Sequence, residues 1–144
     1  MRTVLNIGAL VVVLDQATKF LAIQFLKPIS QLQIIPDIFH LTYVENTGIA
    51  FGMFQDQPLV WTIIITVSVV ILLFAAPFFS KQAFSRRIAY GFILGGAVGN
   101  WIDRLRLHNV IDFLDFRVWP VFNIADSFIC IGVVIFVWFA LRGQ

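Results

Sequence analysis

Residues 59–79 run for 21 positions without one charged side chain. A helix of about 20 apolar residues fills the hydrocarbon core of a bilayer. A chain of 144 residues has no soluble core large enough to surround such a helix on every side. Three further apolar segments accompany it, at about Val4–Phe25, Ile88–Ile102 and Val121–Leu141. Each predicts a spanning helix, because backbone polar groups in lipid must be satisfied within their own segment. The composition agrees: 60% of residues are hydrophobic and 12% charged, and the mean hydropathy is +0.91. A soluble domain would hold about 25% charged residues. One cysteine excludes a disulfide scaffold or zinc cluster, and a net charge of +2 gives no basic nucleic-acid surface.

The N-terminal segment has a rival reading as a cleaved signal peptide. Arg2 and the apolar stretch Val4–Leu14 suit it, but no small-x-small cleavage site follows. Four spans would put both termini on one side, with Arg2, Lys81, Arg86, Arg87 and Arg142. The other side would hold Lys27, Arg104, Arg106 and Arg117, spread over far more residues. The denser cations predict cytoplasmic termini. Six carboxylates, Asp37, Glu45, Asp56, Asp103, Asp112 and Asp115, would then lie outside.

The outer connections carry pattern of their own. In Ile38–Asn46, Phe39, Leu41 and Tyr43 alternate with His40 and Thr42, a strand period. Asn46-Thr47-Gly48 reads as a turn. The apolar run 49–54 follows it, and Phe51, Met53 and Phe54 make a lip expected to dip into the interface. Val110–Trp119 holds a second strand-like stretch. The expected architecture is an all-α integral membrane protein: one domain over residues 1–144, four spans, and a small β-sheet and an apolar loop on the outer face.

Ionisable groups inside a membrane are costly and mark function by default. Asp15 and Lys19 are four apart on one helix face, acid first, the favourable order for a pair. They either lock helices together or serve a site. Gly91, Gly95 and Gly99 form a ridge for close helix packing. On the neighbouring ridge, Gly96, Asn100 and Arg104 point one way, and the amide and guanidinium need partners there. Carboxylates are the obvious ones. Asp112 lies among hydrophobes, and Asp126 opens the last apolar segment 14 residues later. Two carboxylates close together in an apolar setting share a proton and can activate water against an amide. Spacing alone also allows Asp126 as a helix N-terminal acid and Asp112 as a surface residue. His40 and His108 suggest no zinc site, and no H-E-x-x-H or G-x-S-x-G occurs. Cys130 reads as a small buried hydrophobe rather than a nucleophile.

Five motifs occur in order: Asp15-Gln16-Ala17-Thr18-Lys19, residues 46–51 (Asn-Thr-Gly-Ile-Ala-Phe), residues 95–104 (Gly-Gly-Ala-Val-Gly-Asn-Trp-Ile-Asp-Arg), Val110-Ile111-Asp112-Phe113 and Phe122-Asn123-Ile124-Ala125-Asp126. Together they strongly resemble the bacterial lipoprotein signal peptidase family, also called signal peptidase II, over essentially the whole chain. Ile49 is one departure, where the family usually has a smaller residue. The resemblance implies a monomeric aspartic endopeptidase of the cytoplasmic membrane. It would cleave a prolipoprotein just before a cysteine that carries diacylglycerol, near the outer face, among membrane lipids. Asp112 and Asp126 fall on the catalytic positions. Asp15, Lys19, Asn46, Gly96, Asn100, Arg104, Asn123 and Ala125 fall on supporting ones. No metal, organic cofactor or nucleic acid is implied. Two readings from other classes stand beside it: a small proton- or ion-coupled transporter subunit relaying through Asp15, Lys19 and Asp126, and an assembly factor using the glycine ridge.

Overall fold

The computed structural model describes residues 1–48 and 58–142. Four helices occur in chain order: α1 (Arg2–Leu21), α2 (Pro58–Phe79), α3 (Phe84–Leu107) and α4 (Ile124–Leu141). Three strands accompany them: β1 (Gln31–Ile35), β2 (Phe39–Asn46) and β3 (Val110–Asp115). A π-helical turn, Ala22–Leu26, prolongs α1. Residues 2–26 and 59–79 are each long and apolar enough to cross a membrane, and Ile124–Phe139 is a shorter apolar helix. The outward face of α2 carries Ile63, Val67, Ile71 and Phe74, the last 84% exposed. Such a face suits lipid and not water.

α3 is the hub, packed by α1, α2 and α4. Its glycine ridge is the reason. A Cβ on Gly95 would come within 2.6 Å of the Gly8 carbonyl, so α1 and α3 touch backbone to backbone. A Cβ on Gly96 would lie 2.5 Å from the Ala125 carbonyl, so α4 is equally close on the other side. The packing role read from Gly91, Gly95 and Gly99 holds.

Two helix limits differ from expectation. α3 takes in Arg86-Arg87 and Asp103-Arg104, which the hydropathy pattern puts outside the span; Asp103 and Arg104 find partners inside the protein and need not leave the helix. α3 ends at His108, whose φ of 61° closes the last turn with its N–H on the Arg104 carbonyl. α4 begins at Ile124 rather than Val121, because Phe122 pairs its backbone with Leu114 beside β3.

The sheet is antiparallel in the order β1-β2-β3. β2 and β3 form where strands were expected but do not alternate in burial, since His40 is buried among half-buried neighbours and β3 is buried at nearly every position; β1, exposed throughout, was not expected. Pairing of Val44 with Asp112 and of Asn46 with Val110 brings the end of β2 beside the middle of β3. Ile111 and Phe113 pack onto Ala22 and Leu26, which seats the sheet on the end of α1. The apolar lip of Phe51, Met53 and Phe54 and the departure at Ile49 lie outside the described residues.

Candidate active site

β3 delivers Asp112 and the first turn of α4 delivers Asp126 to one cavity of about 310 Å³, where Asn46, Asn100 and Arg104 also stand. Asn123, fully buried, ties the two carboxylates together. Its side-chain amide donates to Asp112 Oδ1 at 2.7 Å, and its backbone N–H donates to Asp126 Oδ2 at 3.3 Å. The Asp126 N–H returns a bond to Asn123 Oδ1 at 2.9 Å. Asn46 Nδ2 donates to the second Asp112 oxygen at 2.8 Å, and Asn46 Oδ1 accepts the Gly48 N–H, which is the expected turn. Asn100 Nδ2 donates to Asp126 Oδ1 at 2.8 Å. Each carboxylate is therefore fixed by two N–H donors, from three asparagines in all.

Burial, then the negative charge of Asp126, pushes the Asp112 carboxyl up to about 7, against the opposing pull of Asn46, Asn123 and Lys19. A carboxyl so placed holds a proton near neutrality, as general acid–base work requires.

Beneath the pair lies a second layer. Lys19, 2% exposed, sits 2.9 Å from Asp15 and 2.8 Å from Asp103, and it donates to Asn100 Oδ1 at 2.9 Å. The last bond, with a second from Asn123 Nδ2 at 3.1 Å, fixes which way the Asn100 amide points: with its oxygen on these donors, its nitrogen faces Asp126. Asp15 Oδ1 accepts the Ala125 N–H at 3.0 Å, anchoring the start of α4 to α1. Gln16 adds donors to Asp103, Asp15 and the Gly99 carbonyl.

The structure thus brings together Asp15, Lys19, Asn46, Gly96, Asn100, Arg104, Asp112, Asn123, Ala125 and Asp126. Three expectations are corrected. Arg104 does not hold a carboxylate; it donates to the Thr47 carbonyl at 2.9 Å and the Gly48 carbonyl at 2.7 Å, because the turn after β2 closes over it. Asp103 is not an outer-surface acid but a buried partner of Lys19 that also accepts the Ile111 N–H. Cys130 is exposed on α4 rather than buried. Gln16 and Asp103 are the members of this cluster that sequence reasoning did not single out. The signal for Asp103 was present: it continues the Gly91-Gly95-Gly99 interval of four, on the ridge that faces Asp15 and Lys19.

Residues 7–142 match the signal peptidase (SPase) II family. The chain belongs to that family. The signal peptidase II chain is 50% identical over 130 residues to the lipoprotein signal peptidase of Caldanaerobacter subterraneus subsp. tengcongensis, covering 90% of this chain and 89% of that one. It is 42% identical over 132 residues to that of Halothermothrix orenii, covering 90% of each. A solved structure described as a bacterial membrane enzyme superposes with a TM-score of 0.85 at 31% identity, over 99% of this chain and 89% of the other. A second, so described, gives 0.83 at 30%, over 100% and 96%. The signal peptidase II chain is accordingly a peptidase and an integral membrane protein.

Proposed function

We propose that this peptidase is an aspartic endopeptidase that removes the signal peptide from diacylglyceryl-modified prolipoproteins, cutting just before the lipidated cysteine. The observation that carries the reading is the pair Asp112, buried, and Asp126, half-buried, facing one cavity and linked through Asn123. One carboxylate takes a proton from water as it attacks the scissile carbonyl; the other, carrying the shared proton, polarises that carbonyl and later protonates the leaving amine. Asn46, Asn100 and Asn123 hold the carboxylates. Lys19 and Asp15 position Asn100 and the start of α4, Gly96 and Ala125 allow the close approach of α3 and α4, and Arg104 holds the turn at Thr47-Gly48.

The chain acts as one domain and as a monomer, with four spans, cytoplasmic termini and the dyad near the outer face. The cation density of the two sides supports this orientation. A lipidated substrate requires such a depth, with acyl chains in the bilayer and the scissile bond at headgroup level. An ion relay would need ionisable groups through the bilayer. Here α2 has none, Asp15, Lys19, Asp103, Arg104 and Asp126 gather at one end of the bundle, and Arg2, Arg86 and Arg87 begin their helices at the other.

The test is mass spectrometry of a diacylated lipobox peptide incubated with the purified protein. Wild type should yield a product beginning at the lipidated cysteine. Asp112→Asn and Asp126→Asn should each remain folded and yield none, and the unlipidated peptide should be cleaved very poorly. Turnover near the wild-type rate in either variant rules out the dyad.

A further inference from the structure

A groove of about 390 Å³ opens from the catalytic cavity onto the outside of α4. It is walled by Phe116, Trp119, Phe122, Asp126, Ser127 and Cys130, and it shares Trp119, Phe122 and Asp126 with the cavity. We propose that this groove is the berth for an acyl chain of the substrate's diacylglyceryl group, an assignment that rests on the peptidase reading above.

Three observations carry it. The first is continuity. The lipid is attached to the cysteine whose amide bond is cut, so its first acyl ester lies about seven bonds from the attacked carbonyl, near enough to start beside the cavity. The chain must leave the cavity beside the carboxylates, and this groove has Asp126 in its wall. The second is chemistry. The Ser127 hydroxyl is committed to the Asn123 carbonyl at 2.9 Å, and the Asp126 oxygens are held by Asn100 and Asn123. The walls are otherwise almost wholly apolar. An extended peptide there would leave its own N–H and C=O groups without partners, whereas a hydrocarbon chain has none to satisfy. The third is shape. The groove runs along α4 only from Asp126 to Cys130, about one turn. A signal-peptide helix, about 10–12 Å across, would need far more of α4; an acyl chain is much thinner. The outer wall is also built to keep its form, since Phe116 stacks on Phe122 with centroids 5.9 Å apart and is backed by Phe39 at 4.8 Å. The competing groove beneath the sheet, about 290 Å³, is walled by Phe25, Leu32 and Phe113 and shares no residue with the catalytic cavity.

The experiment uses the full chain in lipid nanodiscs and a lipobox peptide whose acyl chain carries a diazirine near its ester. In Asp112→Asn, which should retain uncleaved substrate, irradiation is expected to attach the peptide to Phe116, Trp119, Phe122 or Cys130, as read by mass spectrometry. Attachment elsewhere, above all to Phe25, Leu32 or Phe113, overturns the berth. So does equal suppression of the crosslink by phosphatidylglycerol at the peptide's concentration, which would make the groove a bilayer-lipid site. A kinetic arm is independent of that variant. Cys130→Trp fills the groove and should raise KM for the diacylated peptide roughly tenfold or more, with kcat near wild type. Ile131→Trp, at an exposed position on α4 outside the groove, should change neither. An unchanged KM in Cys130→Trp overturns the berth, while wild-type cleavage of the same peptide leaves the peptidase reading standing. Failure of wild type to cleave it at all overturns both.

Discussion

Replacing Lys19 by methionine keeps the length of the side chain and removes its charge. In the native protein that ammonium lies within 2.9 Å of Asp15 and 2.8 Å of Asp103, with all three side chains buried. Removing one partner of a buried pair leaves an uncompensated charge and costs about 3–5 kcal/mol. Here two carboxylates lose their cation, so the upper end applies to the single variant. For a chain of this size that lowers the melting midpoint by on the order of 10 °C. Asp15 keeps donors from Ala125 and Gln16, at 3.0 and 3.2 Å, and Asp103 keeps donors from Gln16 and Ile111, at 2.9 and 3.2 Å, so neutralising either carboxylate removes half of the stranded charge without stripping its site. Lys19→Met combined with Asp103→Asn should therefore recover at least half of the lost stability. It should not fully recover cleavage, because Asn100 has lost the shorter of the two donors that turn its amide toward Asp126, keeping only Asn123 Nδ2 at 3.1 Å. The assays are melting in detergent micelles and kcat on a diacylated lipobox peptide. Full recovery of kcat in the double variant would reduce Lys19 to charge balance alone and refute its part in orienting Asn100.

Asp112 holds its proton to about pH 7 in the folded protein, against 3.8 ordinarily, because it is buried and faces Asp126. A raised carboxyl pKa stabilises the fold at low pH and loses that contribution as pH rises through 7. Asp112→Asn has nothing to lose, so its melting midpoint should match wild type below about pH 3.8, gain on it as pH rises toward 7, and exceed it by several degrees at pH 9; the shift sets a ceiling of about 4 kcal/mol, and a midpoint difference that does not change with pH would contradict it. Gly96→Ala puts a Cβ 2.5 Å from the Ala125 carbonyl and should cut kcat/KM on the order of 10²-fold by displacing Asp126. Gly8→Ala, whose Cβ meets nothing nearer than 3.5 Å, should be close to neutral in the same cleavage assay. A reporter fused after Gln144 should be cytoplasmic and one inserted near Gln55 external; the reverse labelling would put the dyad on the wrong face.

The sequence was most legible where a residue's role is decided by its own surroundings along the chain. The chargeless run of α2 and the alternation of β2 needed no tertiary partner to be read. The glycine interval of α3 did its work through absent side chains, which any partner helix can use. What failed were statements about who meets whom. Arg104 looked destined for a carboxylate because a buried guanidinium needs acceptors, yet backbone carbonyls of Thr47 and Gly48 accept equally well. Asp103 was placed outside because hydropathy ends there, although its helix position already faced Lys19. β1 was invisible because its five residues, Gln-Leu-Gln-Ile-Ile, take their order from β2 rather than from an inward face of their own. Cys130 is exposed because, in lipid, an outward position demands no polarity, so composition does not separate core from surface there.

The bond from Ala125 to Asp15 spans 110 residues of sequence. During synthesis Asp15 enters the bilayer early and waits for most of the chain before it meets the amide that it holds. Asn100 likewise arrives before Asp126 exists to receive it. No growing chain that still lacks α4 has the proposed pair, and one in which α4 has been inserted but not docked has its second aspartate unplaced. Order of synthesis thus becomes order of assembly: the proposed pair is complete only when the final helix has closed on the first.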